Sequence, residues 1–293
     1  KNKTWKNFVC SRPAQRMACS LSAIIHSHHQ LSNGALKSSY RHLLEQPDLV
    51  DQLIILTDEQ WQDLQQEGFP ATQMAVIPNH LDNGNIPANP QKVPSQTVIY
   101  LARYSEEKQH ALLLSAFRKV LAVIPDAQLH TYGVGPLRRS LSAQVAEWGL
   151  AQAIHINGFT SDIAQAHKTA CCTVLCSTQE GQSISAVEAM AYGTPLISFA
   201  IKYGPRDILQ DRQAGMLVPC GDEEALAAAL IKVIADKTLQ QSMRQAALCN
   251  AQRYYASAIA EHWAAWLQAS ERLMAAQADF GRASKSPQAA SVG

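Results

Sequence analysis

Two glutamates, Glu180 and Glu188, stand eight positions apart in Thr173 to Phe199, TVLCSTQEGQSISAVEAMAYGTPLISF. Ionised carboxylates only accept hydrogen bonds, which suits them to the vicinal hydroxyls of sugars. The bare spacing says little, because most such pairs are charges on a helix surface. Between them lies a small polar turn whose N–H groups near Gln182, Ser183 and Ile184 stand free at a helix start, where anions bind. A second set is Arg103 and Lys108, in LARYSEEK. Such cations can neutralise a phosphate as charge develops on it. A lysine in the first turn of a helix is disfavoured by the dipole, so Lys108 needs a reason to be there. The plain alternative is a solvated pair beside Glu106 and Glu107. A third set is the run His26-Ser27-His28-His29. Three histidines raise the question of a metal. They lack Cys or carboxylate partners nearby, so no metal is expected, and surface histidines in a turn explain them as well.

The elements around these residues follow from the apolar pattern. Thr173 to Cys176 is β-rich, Gln179 to Ser185 is a turn, and Ala186 to Ala191 continues as a helix. Gly193-Thr194-Pro195 stops that helix before the buried run Leu196 to Phe199. This is a strand–loop–helix–strand unit of an α/β sheet. Parallel sheets take ligands outside their C-terminal strand ends, so both glutamates can face one crevice. The same alternation predicts strands at 98–102, 128–132, 154–156 and 216–218, with helices between them. That makes six strands of a doubly wound parallel sheet. Upstream, strands are expected at 21–26, 51–56 and 74–77. Helices are expected at 35–45 and from the Thr57 cap to about Gln66. The segment rich in Asn, Pro and Gly before Ser95 reads as a linker. The predicted division is therefore 1–80 as the end of a first domain, 81–95 as linker and 96–254 as a second domain. A long helix at 255–279 and a disordered tail at 280–293 complete it.

With 25 basic and 24 acidic residues among 293, no large basic field argues for nucleic acid. Seven cysteines without C-x-x-C spacing read as reduced, mostly buried thiols of a cytoplasmic protein. No apolar run approaches the roughly 18 residues of a membrane span. Lys1 to Arg16 lacks the apolar segment of a signal peptide. The chain begins with Lys, which suggests a fragment or a trimmed chain.

The string EGQ...EAM...G.P...IKYGP resembles retaining, nucleotide-sugar-dependent glycosyltransferases of the GT-B fold, family GT4. In these enzymes Glu180 and Glu188 would form the E-x7-E pattern. The resemblance spans most of Ala23 to Leu267. It is strongest to the enzymes that place α-linked hexoses on polyol-phosphate wall teichoic acids and to the accessory-secretion O-GlcNAc transferases. It implies an incomplete N-terminal Rossmann-like domain facing a complete C-terminal donor domain. Glu180 would hold the donor sugar, Glu188 the ribose, and Arg103 with Lys108 the diphosphate. Gly181, Gln182, Ser183 and Ile184 would form the donor turn, and Tyr203, Gly204 and Pro205 would line the cleft. His26 and His29 match an H-x-x-H turn of which one histidine faces the sugar; His28 is extra. Ser183 and Ala200 depart from the family pattern, where Gly and Asp are frequent. The implied donor is UDP-glucose or UDP-GlcNAc, used without metal or other cofactor. The implied acceptor is a polyol-phosphate polymer, with a serine-rich adhesin as runner-up. A donor-binding module without independent turnover is the rival from another class. Homo-oligomers, and membrane association through a missing part, stay open.

Overall fold

The computed structural model describes residues 21–27, 29, 37–47, 50–81, 86, 90, 95–210 and 213–283. The first sheet holds β1 (Ser22–Ile24), β2 (Gln52–Ile55) and β3 (Met74–Val76), all parallel, in that spatial order. Two helices connect them, α1 (Ser38–Glu45) and α2 (Asp58–Gln66). Thr57 starts α2 as read from sequence: its hydroxyl accepts from the Gln60 N–H at 3.2 Å, and Asp58 and Glu59 occupy the positive first turn. Strand β2 is buried along its whole length because both of its faces are covered. Leu53 and Ile55 pack with Ile25, Leu64 and Phe69 on one side, and Ile54 meets Ile77 and Ile259 on the other.

The second sheet holds β4 (Thr97–Leu101), β5 (Gln128–Tyr132), β6 (Ile154–Ile156), β7 (Ala170–Leu175), β8 (Leu196–Phe199) and β9 (Gly215–Val218). Every neighbouring pair is parallel, in the order β6-β5-β4-β7-β8-β9. The intervening helices are α3 (His110–Val123), α4 (Arg138–Glu147), α5 (Ile163–Thr169), α6 (Ile184–Ala191), α7 (Pro205–Leu209), α8 (Glu223–Ala235) and α9 (Lys237–Ala251). Asp162, Asp222 and Asp236 cap α5, α8 and α9, each accepting one backbone N–H. The expected six-stranded doubly wound sheet is present. Its strand order reverses between β4 and β7.

Two elements differ from the sequence reading. Lys108 does not sit in the first turn of α3. It ends a 3₁₀ turn, Glu106–Lys108, and Gln109 then adopts a left-handed conformation (φ 50°) before α3 begins. The dipole argument against a lysine there therefore does not apply. The last helix, α10 (Ala256–Ala283), runs into the stretch expected to be tail. Residues 284–293 and most of the expected linker lie outside the described residues.

Helix α10 packs on the first sheet, not the second. Trp263 and Trp266 join Ile259 against Ile54 and Ile77, and the Ser270 hydroxyl donates to Gln52 Oε1 at 3.0 Å. The chain thus crosses between the sheets twice, and the crossings touch. The Leu81 N–H donates to the Tyr254 carbonyl at 2.7 Å, and Leu81 bridges Tyr255.

Candidate active site

Where strand order reverses in an open α/β sheet, the flanking loops part and leave a crevice outside the C-terminal strand ends. Here those loops follow β4 and β7. The first carries Lys108 and the second carries Ser177 and Glu180. Lys108 Nζ donates to Glu180 Oε1 at 2.6 Å, and Ser177 Oγ donates to the same oxygen at 2.6 Å. The two charged side chains are 15% and 12% exposed, so water screens the pair only partly. Behind it, the buried Tyr100 phenol donates to the Lys108 carbonyl at 2.9 Å and lies 3.5 Å from Ser177 Oγ. Burial pushes that phenol well above its ordinary pKa, so it stays a donor. His110 is wedged between the Tyr100 and Tyr104 rings, with both centroids 4.7 Å away. Its Nε2 faces the Arg103 carbonyl at 3.0 Å, which can only accept, so that nitrogen carries the proton. Burial brings the His110 pKa down to about 4, and the ring is neutral at neutral pH.

Arg103 is not drawn into this cluster. Its side chain is 72% exposed and pairs with Glu107 at 3.1 Å, one turn on. Glu188 lies in the second turn of α6. It is partly buried, its carboxyl is pushed above the ordinary range by that burial, and it makes no hydrogen bond or ion pair with a described side chain. Ser183 precedes α6 but does not cap it; its hydroxyl meets Ser185 Oγ at 3.2 Å instead. The first turn of α6, with the half-exposed Ile184, therefore keeps its N–H groups uncapped by a side chain.

The turn at Gly181–Gln182 also touches the first unit. A Cβ on Gly181 would stand 2.5 Å from the His26 carbonyl oxygen and 2.8 Å from Ser27 Cα, so only glycine fits there. Gln182 is buried, and its Oε1 accepts the Asn79 N–H at 2.7 Å. Of the two predicted histidines, His26 is exposed at this contact, while His29 is fully buried. His29 Nε2 lies 3.2 Å from Glu67 Oε1, and its ring stacks on Tyr203 at 5.6 Å. Burial lowers its pKa against the pull of Glu67. His28 lies outside the described residues. Tyr203 is likewise fully buried, pointing at α2, with Gly204 and Pro205 buried behind it.

The family model described as "Glycosyl transferases group 1" matches residues 84–248, more than half of the chain. The chain is a group 1 glycosyl transferase. It is 30% identical over 224 residues to an exopolysaccharide phosphotransferase of Streptomyces coelicolor, covering 75% of this chain and 24% of that protein. It is 26% identical over 245 residues to the poly(glycerol-phosphate) alpha-glucosyltransferase of Bacillus subtilis, covering 83% of this chain and 36% of the relative. Among solved structures, the pneumococcal O-GlcNAc transferase GtfA, in complex with UDP and GlcNAc, matches with a TM-score of 0.76 and 23% identity. That match covers 87% of this chain and 53% of the other, and it shows the shared GT-B fold. This glycosyl transferase spans about a quarter to a third of the length of these two curated relatives.

Several residues of the site carry no motif. Ser177 and Tyr100 hold Glu180 and Lys108, yet a serine three before a glutamate and a tyrosine inside a strand are ordinary sequence. Asp63 and Glu59 of α2, which meet the Lys202–Tyr203 turn, show only as an acidic spacing of four. A cavity of about 750 Å³ lies elsewhere between the sheets, lined by Thr57, Asp58, Arg206, Asp207, Arg253 and His262 among others, and by Gln182 of the turn before α6. Among the described residues no helix is long and apolar enough to cross a membrane.

Proposed function

We propose that this glycosyl transferase carries the donor-binding half of a retaining hexosyltransferase. It would move glucose or GlcNAc from a UDP-sugar to a hydroxyl of a polyol-phosphate polymer in the cytoplasm. The observation that carries the reading is the shielded Lys108–Glu180 pair at the strand-order reversal, with Glu188 eight residues on. Lys108 would neutralise the departing diphosphate, and Arg103 would turn from Glu107 to share that charge. Glu180 would accept hydroxyls of the transferred sugar, and Glu188 those of the ribose. The uncapped start of α6 and the backbone of Gly181, Gln182, Ser183 and Ile184 would meet the phosphates. No side chain need attack the anomeric carbon. Its bond to the β-phosphate oxygen breaks as the acceptor oxygen bonds from the same face, and the acceptor proton passes to the departing phosphate. Catalysis is then orientation and neutralisation. The division into a first domain to residue 80, a linker at 81–95 and a donor domain at 96–254 is part of this proposal.

A protein hydroxyl is the second acceptor reading, favoured by the likeness to the pneumococcal O-GlcNAc transferase. A donor-binding module without turnover of its own is a third, favoured by the short span relative to the relatives. Titration with UDP, UDP-glucose and UDP-GlcNAc, then transfer to glycerol-phosphate polymer or serine-rich peptide, separates them. Lys108→Ala should weaken UDP binding by about 1.5–3 kcal/mol. No UDP binding by the unaltered chain would overturn the reading.

A further inference from the structure

The turn Lys202-Tyr203-Gly204-Pro205 stands in the second unit, but its side chains reach into the first. Tyr203 Oη donates to Asp63 Oδ2 at 2.6 Å, and Lys202 Nζ donates to the same oxygen at 2.6 Å. The Tyr203 N–H donates to Glu59 Oε2 at 3.0 Å. Glu59, Asp63 and Glu67 follow one another at intervals of four along α2 and its cap, so they form one acidic stripe. The third member, Glu67, holds His29, on which the Tyr203 ring stacks. Tyr203 keeps this pose with φ at 63°, a conformation rare for a non-glycine residue. Between these acids on the same helix sits the buried Gln60, whose Nε2 donates to the Ser27 carbonyl at 3.2 Å. Ser27 and His26 are the residues that Gly181 touches.

We propose that the Lys202–Tyr203 turn and the acidic stripe of α2 form a clasp that fixes the rotation of α2 and, through Gln60, holds the His26–Ser27 turn over Gly181. Tyr203 and Lys202 are then positioning residues, acting through the first unit on the donor turn, and not contacts of the donor. The role assigned to the donor turn rests on the function proposed above; the clasp itself does not. Tyr203 supplies most of the hold, since its phenol is buried. Lys202 is 51% exposed, and a surface ion pair contributes little.

The Asn79 amide reports on the docking, because it donates across the interface to Gln182 Oε1. Hydrogen exchange on the whole chain should show the Asn79 amide exchanging at least fivefold faster in Tyr203→Phe. Lys202→Met should show a smaller increase, and the amides of β4 and β5 should be unchanged. Faster exchange confined to α2 and residues 202–209 in both variants would overturn the clasp. Should Tyr203→Phe fail to fold, Asp63→Asn takes its place with the same expected result. UDP affinity within twofold of the unaltered chain is expected in each variant; a tenfold loss in Tyr203→Phe would make Tyr203 a donor contact and sink the inference. Where turnover is measurable, kcat should fall about tenfold in Tyr203→Phe with KM for the donor little changed. If the unaltered chain binds no UDP, the proposed function fails while the exchange result still decides the clasp.

Discussion

At the scale of single residues, Glu180 and Glu188 have the same side chain in unlike surroundings. Glu180 is held by Lys108 and Ser177, while Glu188 is partly buried without such partners. If Glu188 holds the ribose, it binds ground state and transition state alike, and Glu188→Gln should mainly weaken UDP and donor binding. If Glu180 holds the transferred sugar, whose ring gains positive charge as the bond to phosphate breaks, Glu180→Gln should leave UDP affinity nearly intact and lower kcat. Calorimetric titration with UDP and turnover at saturating donor test the division. Equal loss of UDP affinity in both variants would erase it. The types and order of these residues were legible in the sequence, because E-x7-E and the basic pair survive as strings. Their immediate supports were not: Ser177 and Tyr100 matter only through where β7 and β4 end. The burial of His29 was hidden for a related reason. Sequence placed it in a polar turn, and only the packing of Tyr203 and Glu67 around it takes it out of solvent.

At the scale of elements, two glycines make opposite demands. A Cβ on Gly133, in the turn after β5, would lie 2.0 Å from the Ala102 carbonyl oxygen at the end of β4. That turn is pressed on the neighbouring loop, which accounts for its glycine. Gly133→Ala should therefore destabilise the second unit by about 2 kcal/mol or more, read by urea unfolding. A Cβ on Gly181 would strike the first unit instead. Gly181→Ala should leave the urea midpoint of the second sheet nearly unchanged, while the Asn79 amide, held by Gln182, exchanges faster. A large loss of global stability with no change at Asn79 would contradict this. The strands and most helix starts were readable because alternation, Asp caps and Gly-Pro stops are local signals. The break at Gln109 was not, since it goes with Tyr100 holding the Lys108 carbonyl and His110 holding that of Arg103. The end of α10 escaped as well, because its small, polar last residues look like an unstructured tail.

At the scale of the whole molecule, charge and connection decide how the two units stay together. Asp207 of α7 has a buried Oδ2 with no hydrogen-bond partner among the described residues and faces Asp58 and Glu59 across the interface, opposed by Arg253; Glu261 and His262 line the same cavity. Burial first, then those two carboxylates, raise its pKa from 3.8 to about 6. The unfolded chain releases this proton near pH 3.8 and the folded one near pH 6. The folded state therefore loses stability as pH rises between them, by up to about 3 kcal/mol, and the loss stays in place above pH 6. Asp207→Asn should raise the Tm at pH 7.5 and change it little at pH 4, as scanning calorimetry would show; an equal shift at both values would remove the carboxylate from the account. The two touching crossings have another consequence. Because α10 lies on the first sheet, covalent continuity through residues 82–94 is not the sole tie between the units. The chain is in effect already paired with itself, as two separate polypeptides would be. Expressed as two pieces, one ending near Leu81 and one beginning near Ser95, it should reassemble into a stoichiometric complex held by Ile54, Ile77, Ile259 and the paired Leu81 and Tyr254 backbones. A failure of the pieces to copurify would mean that residues 82–94 contribute more than a connection.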